Sequence, residues 1–177
     1  MDAGISYQRG TGAFHAIAAP EEAFGEGTSR PKIIKAYFNW FLPLQLTDYQ
    51  IQLQSEWQAQ WNKTPLVPQD RFSIAGRYTV RGFDGEQSLS AERGWLSRNT
   101  ITFPIERQQQ LYLGADVGHV SGSSAEFLLG QTLVGGVVGF RGQWKGLFYD
   151  VFAGKSFSSP DGFEDGRHLG FNLTYQY

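Results

Sequence analysis

Cysteine is absent from this 177-residue chain, which rules out a disulfide scaffold and any cysteine-ligated metal site. Charge is scarce as well, at 18% of residues. The formal net charge of −2 and pI near 5.9 leave no basic footprint for nucleic acid. No window approaches the roughly 18 apolar residues that a membrane helix needs. The opening Met1-Asp2-Ala3-Gly4-Ile5 has neither a charged n-region nor an apolar h-region, so no signal peptide is expected there. The three histidines, His15, His119 and His168, are scattered with no Ser–His–Asp spacing, and no catalytic residue is expected. Asp161, Glu164 and Asp165 lack the dense ligand spacing of a calcium loop. Gly10-Thr11-Gly12 is not followed by Gly-Lys-Ser/Thr and is no phosphate loop. Neither metal nor cofactor is expected.

What the chain does have is glycine and aromatic side chains: 22 glycines, and Phe, Trp and Tyr at 15% together. That mixture suits a β-protein with many turns and aromatic girdles. A mean hydropathy of −0.34 does not oppose a membrane location, because alternating lipid-facing and lumen-facing residues cancel in an average. Alternation predicts about eight strands, at Ala3–Phe14, Lys32–Leu44, Tyr49–Trp61, Gly94–Ile105, Gln110–Val120, Thr132–Trp144, Leu147–Phe157 and His168–Tyr177. The third is the clearest. Tyr49, Ile51, Leu53, Trp57, Ala59 and Trp61 fall on one face, with Gln50, Gln52, Gln54, Glu56, Gln58 and Gln60 on the other. Period two over that length is a strand signal, and the length reaches the nine to eleven residues of a tilted bilayer crossing.

Connections between these strands alternate long and short, the pattern of an outer-membrane barrel. An Arg or Lys on the lipid face near the midplane costs about 2–4 kcal/mol. In the expected registers Lys35, Glu56, Arg98, Asp116, Arg141 and Asp150 all fall on the opposite, lumenal face. The expected fold is therefore all-β, an antiparallel transmembrane β-barrel. A soluble up-and-down barrel would need a polar outer face, whereas one face here is nearly dry and rich in Trp and Phe.

One connection stands apart. Residues 63–93 form a structureless loop of about thirty residues, a length that is uncommon without a functional reason. It carries Arg71-Phe72-Ser73-Ile74-Ala75-Gly76-Arg77-Tyr78-Thr79-Val80-Arg81-Gly82-Phe83-Asp84-Gly85-Glu86, continued by Leu89-Ser90-Ala91-Glu92-Arg93-Gly94-Trp95. This string resembles the two-partner secretion transporters, the TpsB proteins of the ShlB/FhaC/HecB haemolysin secretion/activation type. Their superfamily includes the barrel-assembly protein BamA, which shares Val-Arg-Gly-Phe but usually not the Leu-Ser-Ala-Glu-Arg-Gly-Trp continuation.

The resemblance implies a loop re-entering the barrel lumen with Val80, Arg81, Gly82 and Phe83 at its tip. Arg81 would pair with a lumenal aspartate in a Phe-x-Asp-x-Gly-like motif. Here that is Asp116 with Gly118, in Gly114-Ala115-Asp116-Val117-Gly118, where Leu113 or Gly114 replaces the family's aromatic residue. The implied function is translocation of a large secreted exoprotein of the TpsA type (haemolysin, adhesin or contact-dependent toxin) across the Gram-negative outer membrane. Alternatives are a passive porin-like or structural barrel, or a BamA-type insertase. The last strand alternates Phe171, Leu173, Tyr175 and Tyr177 outward to the end of the chain. It resembles the signal that outer-membrane proteins present to the barrel-assembly machinery. Family members also carry an N-terminal helix, periplasmic POTRA domains and about sixteen strands. The resemblance thus implies that this chain is the C-terminal part of a larger barrel, surrounded by outer-membrane lipid.

Overall fold

The structure is a computed structural model that describes residues 1–13, 17–25, 27–46, 49–106, 108–163 and 166–176. Eight long strands form one antiparallel sheet: β1 (Asp2–Arg9), β2 (Lys32–Leu46), β3 (Tyr49–Asn62), β6 (Arg93–Glu106), β7 (Gln109–Ser121), β8 (Thr132–Trp144), β9 (Leu147–Ser158) and β10 (Arg167–Tyr175). They lie side by side in chain order, with β1 and β10 at the two edges. Two short strands, β4 (Phe72–Ile74) and β5 (Leu89–Ala91), pair separately within the long loop.

The period-two pattern forces every second side chain to one face, and the registers carry that choice from strand to strand. Glu56 lies opposite Arg98, Arg98 opposite Asp116, and Arg141 opposite Asp150, all on the inward face. On the outward face Phe38 lies opposite Trp57, and Phe140 opposite Val151. This outward side leaves large apolar groups open, among them Trp57 at 44%, Val151 at 51% and Phe171 at 74% exposure. A dry surface of that extent matches lipid rather than water.

All long connections leave from one end of the sheet and all tight turns from the other. At the tight end Lys145 (φ +47) and Gly146 (φ +84) make a two-residue hairpin with left-handed backbone at both positions, the arrangement that fits strand twist. β2 and β3 run on to pair Leu46 with Tyr49. Gln45 and Leu46 of the expected four-residue turn thus belong to β2, while its other two residues, 47 and 48, lie outside the described residues.

β1 stops earlier than expected, at Arg9 rather than Phe14. Gly10 N–H still donates to Pro31 O at 2.8 Å, but Pro31 has no N–H to continue the ladder. The loop at 63–93 is also not structureless: it contains a short 3₁₀ turn at Pro68–Asp70 as well as β4 and β5. Its apolar residues complete the only sizeable core cluster of the described residues. Ile74, Val80, Phe83 and Leu89 pack there with Leu96, Val120, Leu133 and Phe163 of the sheet and its loops.

Candidate functional site: the loop folded onto the inward face

The loop's path is set by local backbone chemistry. β4 and β5 pair Phe72 with Ala91 and Ile74 with Leu89, closing its base. Beyond Ile74 the chain turns through Ala75 (φ +130) and Gly76 (φ +92). A non-glycine residue in that region is strained by about 1–3 kcal/mol. Thr79 holds the turn from both sides: its hydroxyl accepts from Ala75 N–H at 3.0 Å and donates to Ala75 O at 2.8 Å. This delivers the tip, residues 80–83, to the wall made by β7, β8 and β9.

Arg81 is the centre of the contact. Its Nε donates to Asp116 Oδ2 at 2.7 Å, and its Nη2 to Asp116 Oδ1 at 2.7 Å. The Arg81 backbone N–H adds a third bond, to Oδ2 at 2.9 Å. The Asn99 N–H reaches Oδ1 at 3.3 Å. Nη2 donates in addition to Asn99 O and to Thr100 Oγ1, at 3.2 and 3.0 Å. The Asp116 side chain is fully buried and that of Arg81 is 10% exposed. A bidentate, charge-assisted pair of this kind is both directional and strong.

The remaining tip residues fit against the wall by shape. Val80 packs over Gly118, where a Cβ would lie 2.8 Å from Val80 Cγ2 and 3.0 Å from Ile74 Cγ2. Phe83 meets Phe163 edge-on, with ring centroids 5.7 Å apart. Gly82, at φ +112, presses so close that a Cβ would come within 2.4 Å of Lys155 O. Across from it, a Cβ on Gly135 would sit 2.1 Å from Arg81 O. At Gly114 a Cβ would lie 2.6 Å from Arg81 Nη2. The guanidinium occupies that space.

Two further clasps escaped the sequence reading. Arg77 Nη2 donates to Asp150 Oδ2 at 2.7 Å, its guanidinium lies 3.9 Å from the Phe152 ring centroid, and Tyr112 Oη donates to Asp150 Oδ1 at 2.9 Å. Both partners of this ion pair are partly exposed, at 31% and 24%. Alternation puts Asp150 on the lumenal face, but a partner 73 residues away leaves no mark in a sequence. The second clasp is at the loop base. Glu92 accepts from the Ser124 hydroxyl, from Ser124 N–H and from the Ser123 hydroxyl, with Arg71 Nε at 4.0 Å. Burial by itself would push the Glu92 carboxyl up, but these hydrogen bonds and Arg71 outweigh it and hold the carboxyl below its ordinary range.

The structure thus brings Val80, Arg81, Gly82 and Phe83 together with Asp116 and Gly118. Phe171, Leu173 and Tyr175 lie elsewhere, exposed on the outward face of β10; Tyr177 is outside the described residues. His119 bonds Thr132 on the outward face and His168 lies against the Phe152 ring, while His15 is not among the described residues. Glu164 and Asp165 also lie outside them, and Asp161 is exposed.

Comparison with known proteins gives a consistent picture. A family profile described as haemolysin secretion/activation protein ShlB/FhaC/HecB matches residues 1–142. The outer membrane transporter CdiB-2 of Burkholderia pseudomallei (strain 1026b) is 32% identical over 183 aligned residues, covering 100% of this chain and 31% of that protein. Among solved structures, CdiB from Acinetobacter baumannii superposes with a TM-score of 0.78 at 32% identity, over 84% of this chain and 28% of that one. CdiB from Escherichia coli gives a TM-score of 0.82 over 97% of this chain and 32% of that one. Its 19% identity makes it evidence of fold alone. The chain spans about a third of the length of these relatives. Its eight-stranded sheet matches a portion of an outer-membrane barrel, and its relatives are transporters, not enzymes.

Proposed function

The chain belongs to the ShlB/FhaC/HecB haemolysin secretion/activation family of the outer membrane, and from that premise we propose that it is the loop-bearing part of a two-partner secretion barrel. In this reading the remaining strands and the periplasmic POTRA domains are contributed by other parts of the full transporter. The cargo is a large, unfolded exoprotein of the TpsA type: a haemolysin, an adhesin or a contact-dependent toxin. No bond is made or broken. The work of the site is to hold a plug across the lumen and to let it shift when cargo enters.

The observation that carries this reading is the Arg81–Asp116 clasp. Its carboxylate is fully buried and accepts four hydrogen bonds, three of them from Arg81. Breaking a buried pair by removing one partner typically costs about 3–5 kcal/mol, enough to set whether the loop is docked. The Arg77–Asp150 contact is more exposed and therefore weaker, so loop movement starts there and ends at Arg81. Cargo moving as extended chain can pair with strand edges as it passes. The outward aromatics of β10, together with Tyr177, present the last strand to the barrel-assembly machinery.

The test is an Arg81→Ala variant of the transporter in its native outer membrane. The barrel still inserts, seen as a heat-modifiable band on a denaturing gel, while exoprotein release is lost. Normal release from that variant would refute the proposal.

A further inference from the structure

On the outward side, the long-loop end of the sheet carries a rim of cations. Arg9 lies opposite Lys32, and Lys63 N–H donates to Lys32 O at 3.0 Å, so three cations stand side by side. The guanidinium of Arg93 and the ammonium of Lys63 both approach the Trp61 ring, at 5.7 and 5.8 Å. Farther round, Lys155 and Arg167 are cross-strand partners on β9 and β10. None of these six forms an ion pair with a carboxylate among the described residues. Like charges directly opposite one another destabilise a sheet, so these groupings call for an anion.

Beside the Lys155–Arg167 pair lies an almost wholly apolar trough of about 900 Å³. Its floor is a row of small residues in register: Ser55 opposite Asn99, Asn99 opposite Ala115, Ala115 opposite Gly136, and Gly136 opposite Lys155. Leu53, Ile101, Leu113 and Val138 form one bank, and the Phe157 ring lies over Gly136. The polar members of the floor satisfy one another. Ser55 donates to Asn99 at 2.7 Å, while Asn99 donates to Ser97 at 3.0 Å and to Ala115 O at 3.3 Å.

The row also descends through the membrane. Lys155 is three residues from the long-loop end of β9, whereas Ser55 is midway along β3. Four strand spacings of about 4.8 Å give a path of roughly 19 Å. At the usual strand tilt of about 35–45° this crosses most of one leaflet, half of a hydrocarbon core about 30 Å thick.

We propose that this is a binding site for a phosphorylated, multiply acylated lipid of the outer leaflet. One acyl chain lies in the trough and a phosphate sits between Lys155 and Arg167. The cluster of Arg9, Lys32, Lys63 and Arg93 holds the phosphates of neighbouring lipid molecules along the same rim. The inference rests on the outer-membrane placement of the chain but not on secretion, and it stands or falls independently of the cargo.

The test uses the transporter extracted from its outer membrane and reconstituted into phosphatidylcholine vesicles doped with bisphosphorylated lipid A, with retained lipid counted by native mass spectrometry. A cation near an anionic lipid surface contributes about fivefold to affinity. The double variant K155Q/R167Q therefore lowers lipid A retention by about 25-fold. Ala115→Phe, on the exposed floor, lowers retention with both cations still in place. Arg141→Gln, on the inward face, leaves it unchanged. Heat-modifiable gel mobility verifies that each variant is folded. Equal retention by the double variant would overturn the proposal, as would retention of phosphatidylcholine as tight as that of lipid A. A change of oligomeric state in Ala115→Phe with lipid retention unchanged would also overturn it, by assigning the trough to another protein copy.

Discussion

Replacing Asp116 by asparagine keeps the side chain's shape and removes its charge, leaving the Arg81 guanidinium facing a neutral amide in a site where it is only 10% exposed. Of the bonds Arg81 makes, those to Asn99 O and Thr100 Oγ1 survive, while the bidentate, charge-assisted contact does not. The loss falls in the range of about 3–5 kcal/mol for stranding one member of a buried pair. At about 1.4 kcal/mol per decade this weakens loop docking by roughly two to three and a half orders of magnitude. Trypsin cleavage after Arg77 and Arg81 in isolated outer membranes reads the effect, because cleavage tracks the undocked population when opening and closing are fast. A cycle of Arg81→Ala, Asp116→Ala and the double variant isolates the pair: a buried bidentate contact should give a coupling of about 2 kcal/mol or more, whereas independent sites add within about 0.5 kcal/mol. Additive effects, or unchanged protection in Asp116→Asn, would refute the reasoning.

Asp150→Asn removes the outer clasp, which is partly exposed on both sides, and the Arg77–Phe152 contact remains. The expected cost is only about 1 kcal/mol, read as a several-fold rise in tryptic cleavage against the far larger rise for Asp116→Asn. Gly135→Ala drives a Cβ against Arg81 O, a backbone atom that cannot swing aside. Overpacking of about 1–3 kcal/mol should undock the tip, seen as faster loop cleavage with heat-modifiable mobility retained. At the loop base the Glu92 carboxyl is held below its ordinary range. Its stabilising contribution is therefore present above the unfolded glutamate value, about 4.3, and is lost as pH falls through the lower folded value. Loop protection in the wild type should fall across that acidic window, and Glu92→Gln should flatten this dependence.

The strands were legible because a membrane barrel writes its two environments into alternate residues. The Gln-rich and Trp-rich faces of residues 49–61 define β3 without any neighbour, and the sign of each face carries over to β7, where it puts Asp116 inward. Shorter and longer-range features left weaker marks. Phe72-Ser73-Ile74 and Leu89-Ser90-Ala91 each alternate, but three residues are too few to stand out as a strand, so β4 and β5 look like loop in the sequence. Arg77 and Asp150 are 73 residues apart, and nothing local links them. The close approach of Gly82 to Gly135 depends on two backbones that meet only after the loop has folded back. Glu92 reads as one more charge in Ala91-Glu92-Arg93, yet its side chain is buried and ties Ser123 and Ser124 to the loop base.

Docking of the loop tip against the inner wall of the barrel in the membrane is directly measurable by cross-linking, since residues 1–177 carry no cysteine of their own to compete. Gly118 and Val80 are close enough that a Cβ on Gly118 would lie 2.8 Å from Val80 Cγ2, within reach of a disulfide. A Val80→Cys, Gly118→Cys pair should therefore cross-link spontaneously in the oxidising cell envelope, giving a reductant-sensitive mobility shift in nearly all inserted molecules that neither single-cysteine variant shows. An inserted, heat-modifiable barrel whose two cysteines remain free and react separately with a thiol reagent would contradict the account.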